Sequence, residues 1–232
     1  MVLNPDILNS IEQSRKHNPN AKKKIMYFVG ANACGKTTKL KTLQYTYGKY
    51  YQYISQEGIM SFLLDQPSVY NKNTFYLHAM WDRLIAAIKV ANTTNQNIIF
   101  VDGHPLLSVL CSQALFSVHG ESMITSEQVD ILNEKHLEIL NYVKEKKFLE
   151  GFEQIIYYIN IPLELNIELL QKQQECVELE ENEEKELITL RETIHSQIFE
   201  LAKKHYDTKV VEVNTLIGLD IVQMYLLGAP GC

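Results

Sequence analysis

The chain has 232 residues, 46% of them hydrophobic and 22% charged, with a net charge of −6 at pH 7. That length suits one domain with a sizeable core, and the acidic balance argues against a nucleic acid or an anionic membrane as partner. No apolar run approaches the roughly 20 residues of a membrane span, and residues 1–24 lack the apolar core of a signal peptide. The four cysteines Cys34, Cys111, Cys176 and Cys232 show no metal-ligand spacing. A cytoplasmic protein without disulfides is the expectation.

In chain order, residues 6–16 read as a short helix and residues 17–23 as a polar, basic link. Residues 1–23 are thus an N-terminal extension to a domain expected over 24–232. "KIMYFVG", residues 24–30, is a continuous apolar run closed by glycine, the pattern of a strand buried on both faces. Helical spacing follows from Lys36 to about Tyr47. Residues 50–58 read as a second strand, and residues 61–73 carry Asp, Pro and Asn breakers. Residues 74–92 carry a helical apolar stripe, and "NIIFVDGHP" is a buried strand closed by Asp102. Helices are expected at "LLSVLCSQALFSVHG", ended by its glycine, and over residues 126–148, a strand at "FEQIIYYINIP", and two helices around an acidic stretch within 163–204. "KVVEVNT" is the last strand and "GLDIVQMYLL" the last helix. Strands alternating with helices predict an α/β fold with a parallel sheet covered on both faces.

Gly30-Ala31-Asn32-Ala33-Cys34-Gly35-Lys36-Thr37 matches G-x-x-x-x-G-K-[ST] at every fixed position, between a buried strand and a helix. Small residues let successive backbone N–H groups converge on phosphate oxygens. The helix N-terminus adds its positive end. Lys36 would reach the outer phosphates and the Thr37 hydroxyl would sit on Mg²⁺; Thr38 extends the cradle. Cys34 is read as packed rather than reactive. The loop points to a nucleoside triphosphate with Mg²⁺ and leaves the acceptor open.

Ligands of open α/β sheets bind at the carboxyl ends of the strands. Asp102 ends one strand and is read as a Mg²⁺-side acid, the alternative being a helix cap. Glu57 follows another and is a candidate proton acceptor, or a solvated loop carboxylate. His104 is more often a capping or packed histidine than a catalyst. Tyr76, His78, Trp81 and Arg83 share one helix. Such a stripe usually means core, and the mixture of rings and polar tips also suits a pocket for a flat base.

This order of loop, acid, aromatic helix ending "WDRL" and then "VDGHPLLSVLCSQALF" resembles the deoxynucleoside kinases, and within them the herpesvirus-type thymidine kinase branch with its Asp-Arg-His-Pro. "YYINIPLELNIELLQKQQ" is similar to the family's strand, proline and helix leading into a lid, here about residues 168–190. The resemblance spans about residues 24–225 and implies a P-loop fold with a five-stranded parallel sheet, often dimeric. It implies transfer of the γ-phosphoryl group of ATP to a deoxynucleoside 5′-hydroxyl. Carried over, Glu57 is the general base and Asp102 the Mg²⁺-side acid. Lys36 serves the phosphates. Tyr76, His78, Trp81, Arg83 and His104 stand near the acceptor, and Lys172 and Arg191 are the lid cations. The sequence departs from the family at Gly103, where the family has arginine, at Tyr76, where it has a base-reading glutamine, and in a lid stretch without arginine. Arginine contributes about 10³ to 10⁵ in rate at such centres, so weak transfer is one expectation. The alternatives are a nucleoside monophosphate kinase, or a nucleotide-binding regulatory module with little catalysis.

Overall fold

The computed structural model describes residues 23–47, 51–54, 72–93 and 98–214. The expected helices at 6–16 and at "GLDIVQMYLL", and Glu57, lie outside the described residues. In chain order the elements are β1 (Lys23–Val29), α1 (Lys36–Tyr47), β2 (Tyr51–Ile54), α2 (Lys72–Thr93), β3 (Ile98–Asp102), α3 (Leu106–His119), α4 (Ser126–Glu145), β4 (Phe152–Ile159), α5 (Leu163–Gln174), α6 (Glu181–Leu201) and β5 (Lys209–Val213). A short 3₁₀ turn, Gly120–Ser122, follows α3, and a π-helical turn, Ala202–Tyr206, follows α6.

The strands pair in the order β2-β3-β1-β4-β5, all in parallel. β1 is central and its apolar run explains why. Ile25, Met26, Tyr27, Phe28 and Val29 are all fully buried, because successive side chains enter opposite faces of the sheet. Ile25, Tyr27 and Val29 pack into one core cluster with Trp81, Leu110, Leu140 and Ile194. Met26 and Phe28 pack into the other with Leu40, Phe100, Tyr157 and Ile159. Each such side chain contributes about 1.5–3 kcal/mol by leaving water. An alternating polar face would have excluded this strand from the middle of the sheet.

Local chemistry sets the ends. Thr125 and Gln128 form a capping box that starts α4, with Gln128 N donating to Thr125 Oγ1 at 3.1 Å and Thr125 N to Gln128 Oε1 at 2.9 Å. α4 stops at Glu145, short of the expected 148, because Lys147 turns to a left-handed φ of 54°. α2 takes in Lys72 and Asn73, ahead of the expected 74. The chain passes from β1 out to β2, returns to β3 beside β1, and then crosses to β4 on the other side of β1. β1 therefore ends at a topological switch point, where a crevice opens.

Candidate functional site

Residues 30–35 form the turn between β1 and α1. Ala33 and Gly35 take positive φ, 55° and 86°, which curls the backbone into a concave nest. Gly30 is required for close approach: a Cβ there would lie 2.6 Å from Cys34 Sγ and 2.6 Å from the Ile159 carbonyl oxygen. Cys34 is buried in the α1-side core, as its packed reading expected. Lys36 arches back over the loop. Its Nζ donates to the carbonyls of Gly30 at 2.9 Å and Ala31 at 2.7 Å, and lies 3.5 Å from Cys34 Sγ.

β3 brings Asp102 alongside. Asp102 pairs with Phe28 in the parallel register, and Gly103 N donates to the Phe28 carbonyl at 3.0 Å. The Thr37 hydroxyl donates to Asp102 Oδ2 at 2.7 Å, joining residues 65 apart in sequence. The buried Arg83 guanidinium, from α2, donates through one NH to the Asp102 carbonyl. Gly103 has φ 93°, a conformation that L side chains rarely adopt, so an arginine at this position would be strained on this backbone.

Gly30, Asn32, Ala33, Gly35, Lys36, Thr37, Thr38, Arg83, Asp102 and Lys172 line one cleft of about 1010 Å³. It is large enough for a nucleotide. The oxygens of Thr37 and Asp102 are hard donors at its floor. Such a pair suits Mg²⁺, which takes few protein ligands and keeps water and phosphate oxygens for the rest. Among the described residues no group of three or more His, Cys, Asp or Glu is poised to hold a metal.

The remaining expected site residues fall elsewhere. Trp81 is fully buried in the core and tilts against His136, with ring centroids 5.4 Å apart. His104 is fully buried too: it lies edge-on to Tyr27 and Tyr206, each with centroids 4.5 Å away, and its Nδ1 accepts from Leu106 N at 3.1 Å at the start of α3. Fully buried and not among the residues that line the cleft, it has the capping and packing contacts that were the first reading of its sequence position. Burial holds the His104 imidazole well below its usual range, with His136 nearby adding to this. Tyr76 and His78 belong to α2, and their side chains lie outside the described residues. Of the lid cations, Lys172 lines the cleft and Arg191 does not. Arg191 donates to Asn166 Oδ1 at 2.8 Å, Asn160 Oδ1 at 3.1 Å and the Ile161 carbonyl at 2.6 Å. Asn166 is a site neighbour that sequence reasoning missed; a lone asparagine in a helix carries no motif.

A smaller cavity of about 280 Å³ adjoins the cleft, sharing Asn32, Ser108, Cys111, Leu170, Gln174 and Leu190 with it and bordered by Glu183 and Glu186. Glu186 meets His119 Nε2 at 2.6 Å, tying α6 to the end of α3. Cys111 is an unpaired thiol, as are Cys34 and Cys176 among the described residues, and burial pushes the Cys111 thiol up to about 11. No helix of the described residues is long and apolar enough to cross a membrane.

No protein-family model matches the sequence, and no curated protein does. Solved structures do match in fold. Deoxyadenosine kinase from M. mycoides with bound dATP superposes with a TM-score of 0.52 at 14% identity, covering 89% of this chain and 100% of that one. The same enzyme with products dCMP and a flexible dCDP gives a TM-score of 0.50 at 13% identity, with the same shares covered. Neither is a herpesvirus-type thymidine kinase. At these identities the shared property is the fold, a parallel α/β sheet with helices packed on it.

Proposed function

We propose that the chain binds ATP with Mg²⁺ and transfers the γ-phosphoryl group to the 5′-hydroxyl of a (deoxy)nucleoside. The observation that carries this reading is the 2.7 Å bond between Thr37 and Asp102 at the floor of a cleft that Lys36 also lines. A phosphoryl-transfer centre needs a cation to neutralise developing charge, a hydroxyl and a carboxylate for Mg²⁺, and converging amides for the non-transferred phosphates. All of these stand within one loop and one neighbouring strand end. The shared fold with deoxyadenosine kinases supports a nucleoside kinase at the general level.

In this reading the loop amides and the N-terminus of α1 hold the phosphates. Lys36 exchanges the carbonyls of Gly30 and Ala31 for phosphate oxygens, a swap between acceptors on one short arc. Thr37 and Asp102 would hold Mg²⁺, which would supply charge neutralisation at the phosphates. Arg83, from the cleft wall, and Lys172, from α5, add positive charge. Glu57 takes the proton of the attacking hydroxyl, and Tyr76 and His78 contact the base.

A nucleotide-binding regulatory module is the second reading. It is favoured by the commitment of Arg191 to three hydrogen bonds away from the cleft. A monophosphate acceptor would bring further negative charge to a lid whose cation in the cleft, among the described residues, is Lys172. The test is to incubate the protein with γ-labelled ATP, Mg²⁺ and a panel of nucleosides and monophosphates, beside a Lys36→Ala control. Transfer to a nucleoside that the control lacks is the expected result. ATP binding without transfer to any acceptor leaves the module reading in its place. Full activity in Glu57→Gln would remove Glu57 from the mechanism.

A further inference from the structure

A nest that points its N–H groups at a ligand leaves its carbonyls to be satisfied elsewhere. In this loop Lys36 takes those of Gly30 and Ala31. The next carbonyl, at Asn32, accepts from Asn166 Nδ2 at 2.7 Å, across 134 residues of sequence. Asn166 lies in the first turn of α5 and is 0% exposed. Its other carboxamide atom, Oδ1, accepts from Arg191 NH1 at 2.8 Å.

A guanidinium only donates and a carbonyl only accepts. The Asn166 carboxamide therefore has one allowed orientation, oxygen to Arg191 and NH₂ to the loop. Arg191 is itself anchored on the Ile161 carbonyl and on Asn160 Oδ1. Asn160 is fixed in turn to the end of β5, through its N to the Val213 carbonyl at 2.9 Å and its Nδ2 to Glu212 Oε1 at 2.8 Å. The chain of bonds runs from the sheet, through the second lid helix, to the crown of the phosphate loop. It ends one residue before Ala33, which holds a left-handed φ of 55° that alanine disfavours.

We propose that Asn166 and Arg191 are positioning residues that hold the crown of the phosphate loop in its anion-binding shape and couple it to α6. The ligand served is the triphosphate of a nucleotide, so the binding consequence rests on the reading above, while the effect on loop order does not. Arg191 thereby acts on the loop backbone and not on the transferring group.

Asn166→Asp is the sharpest probe. It keeps the shape and the Arg191 pair, but it turns a donor to Asn32 into a carboxylate oxygen facing a carbonyl. Arg191→Lys keeps the charge and loses the fork. Two quantities are measured on the full chain: affinity for a fluorescent ATP analogue with Mg²⁺, and amide hydrogen exchange of the segment 30–36. Asn166→Asp is expected to weaken the analogue about tenfold, with a melting temperature close to that of the parent chain. Arg191→Lys follows in the same direction by a smaller factor, and exchange in 30–36 quickens in both while α4 stays protected. Unchanged affinity and unchanged exchange in Asn166→Asp overturn the proposal. So does a loss of affinity that merely tracks a fall in global stability. If Asn166→Asp does not fold, Arg191→Lys decides by the same two readouts. If the parent chain binds no nucleotide, the nucleotide reading fails, and the exchange of 30–36 alone decides the positioning claim.

Discussion

The loop after β1 and the α5–α6 hairpin, expected to be a lid, line the same cleft, and their turns are held in different ways. In the loop, the carbonyls of Gly30, Ala31 and Asn32 each have a donor, and Thr37 is bonded to the end of a different strand. Those bonds reach 65 and 134 residues along the chain. In the lid, the turn between α5 and α6 closes on near neighbours: Gln174 Nε2 meets Glu183 Oε1 at 3.2 Å, and Glu180 N meets Glu183 Oε2 at 3.1 Å. Val177 at its tip is 91% exposed, and Glu175, Glu178, Glu180, Glu181 and Glu184 face solvent. The contrast teaches where preorganisation lies. A loop fixed by long-range bonds is shaped before any ligand arrives; the hairpin's helices are anchored too, through Leu170, Leu187, Leu190 and the Glu186–His119 pair, and it is the turn around Val177 alone that closes on near neighbours.

Changes in the loop should therefore be expensive and changes to the exposed side chains of the hairpin cheap. The largest effect is expected for Lys36→Ala, which removes the loop's cation from a partly buried cleft. Phosphoryl transfer should fall by about 10²- to 10³-fold or more, read from initial rates with labelled ATP. Retention of full transfer would break the comparison at its strongest point.

Next in size is acid sensitivity of the core beneath the loop. Burial, reinforced by His205, holds the His136 imidazole down at about 4, and His104 is also held low. The unfolded chain then takes protons first, so stability present above the ordinary histidine range falls as pH drops from about 6.5 towards about 4. The loss attached to His136 is on the order of 3 kcal/mol. Denaturant midpoints measured across that window should fall, and His136→Gln should flatten the fall. A midpoint that holds steady down to pH 4.5 would contradict the buried, neutral assignment.

Gly30→Ala comes third. The added Cβ meets the Ile159 carbonyl at 2.6 Å, and backbone yields less readily than a flexible side chain. A destabilisation of about 1–3 kcal/mol is expected, seen as a melting temperature lower by several degrees. Smaller again is Lys172→Ala, on the exposed first lid helix, with a reduction in transfer of about two- to five-fold. The smallest is the combined Glu178→Gln, Glu181→Gln and Glu184→Gln variant, with a change below about twofold at physiological salt. A large gain from that variant would mean that the acidic run acts on the phosphates after all.

The loop and the parallel α/β arrangement were legible because each rests on local signals. A glycine-closed apolar run dictates a strand buried on both faces, and G-x-x-x-x-G-K-[ST] dictates the turn that follows it. The site's walls were less legible. Tyr76, His78, Trp81 and Arg83 share a helical stripe, but periodicity cannot say which edge of the stripe meets the core and which meets the cleft. Trp81 went to the core and Arg83 to the cleft wall. His104 stood beside Asp102 in sequence, yet the sharp turn at Gly103 sends the two side chains to different places. Arg191 was read as a candidate lid cation from the family resemblance and its place on the second helix of the lid. Its true partners, Asn160, Ile161 and Asn166, are long-range contacts that no spacing rule announces. Glu57 and the side chains of Tyr76 and His78 lie outside the described residues.

The central claim is that this cleft binds a nucleoside triphosphate through its loop rather than through its lid. Titration calorimetry of ATP with Mg²⁺ into the parent chain, Lys36→Ala and Lys172→Ala tests it most directly. The account predicts saturable one-site binding by the parent, loss of detectable binding in Lys36→Ala, and affinity within about fivefold of the parent in Lys172→Ala. Equal losses in the two variants, or no binding by the parent chain, would contradict it.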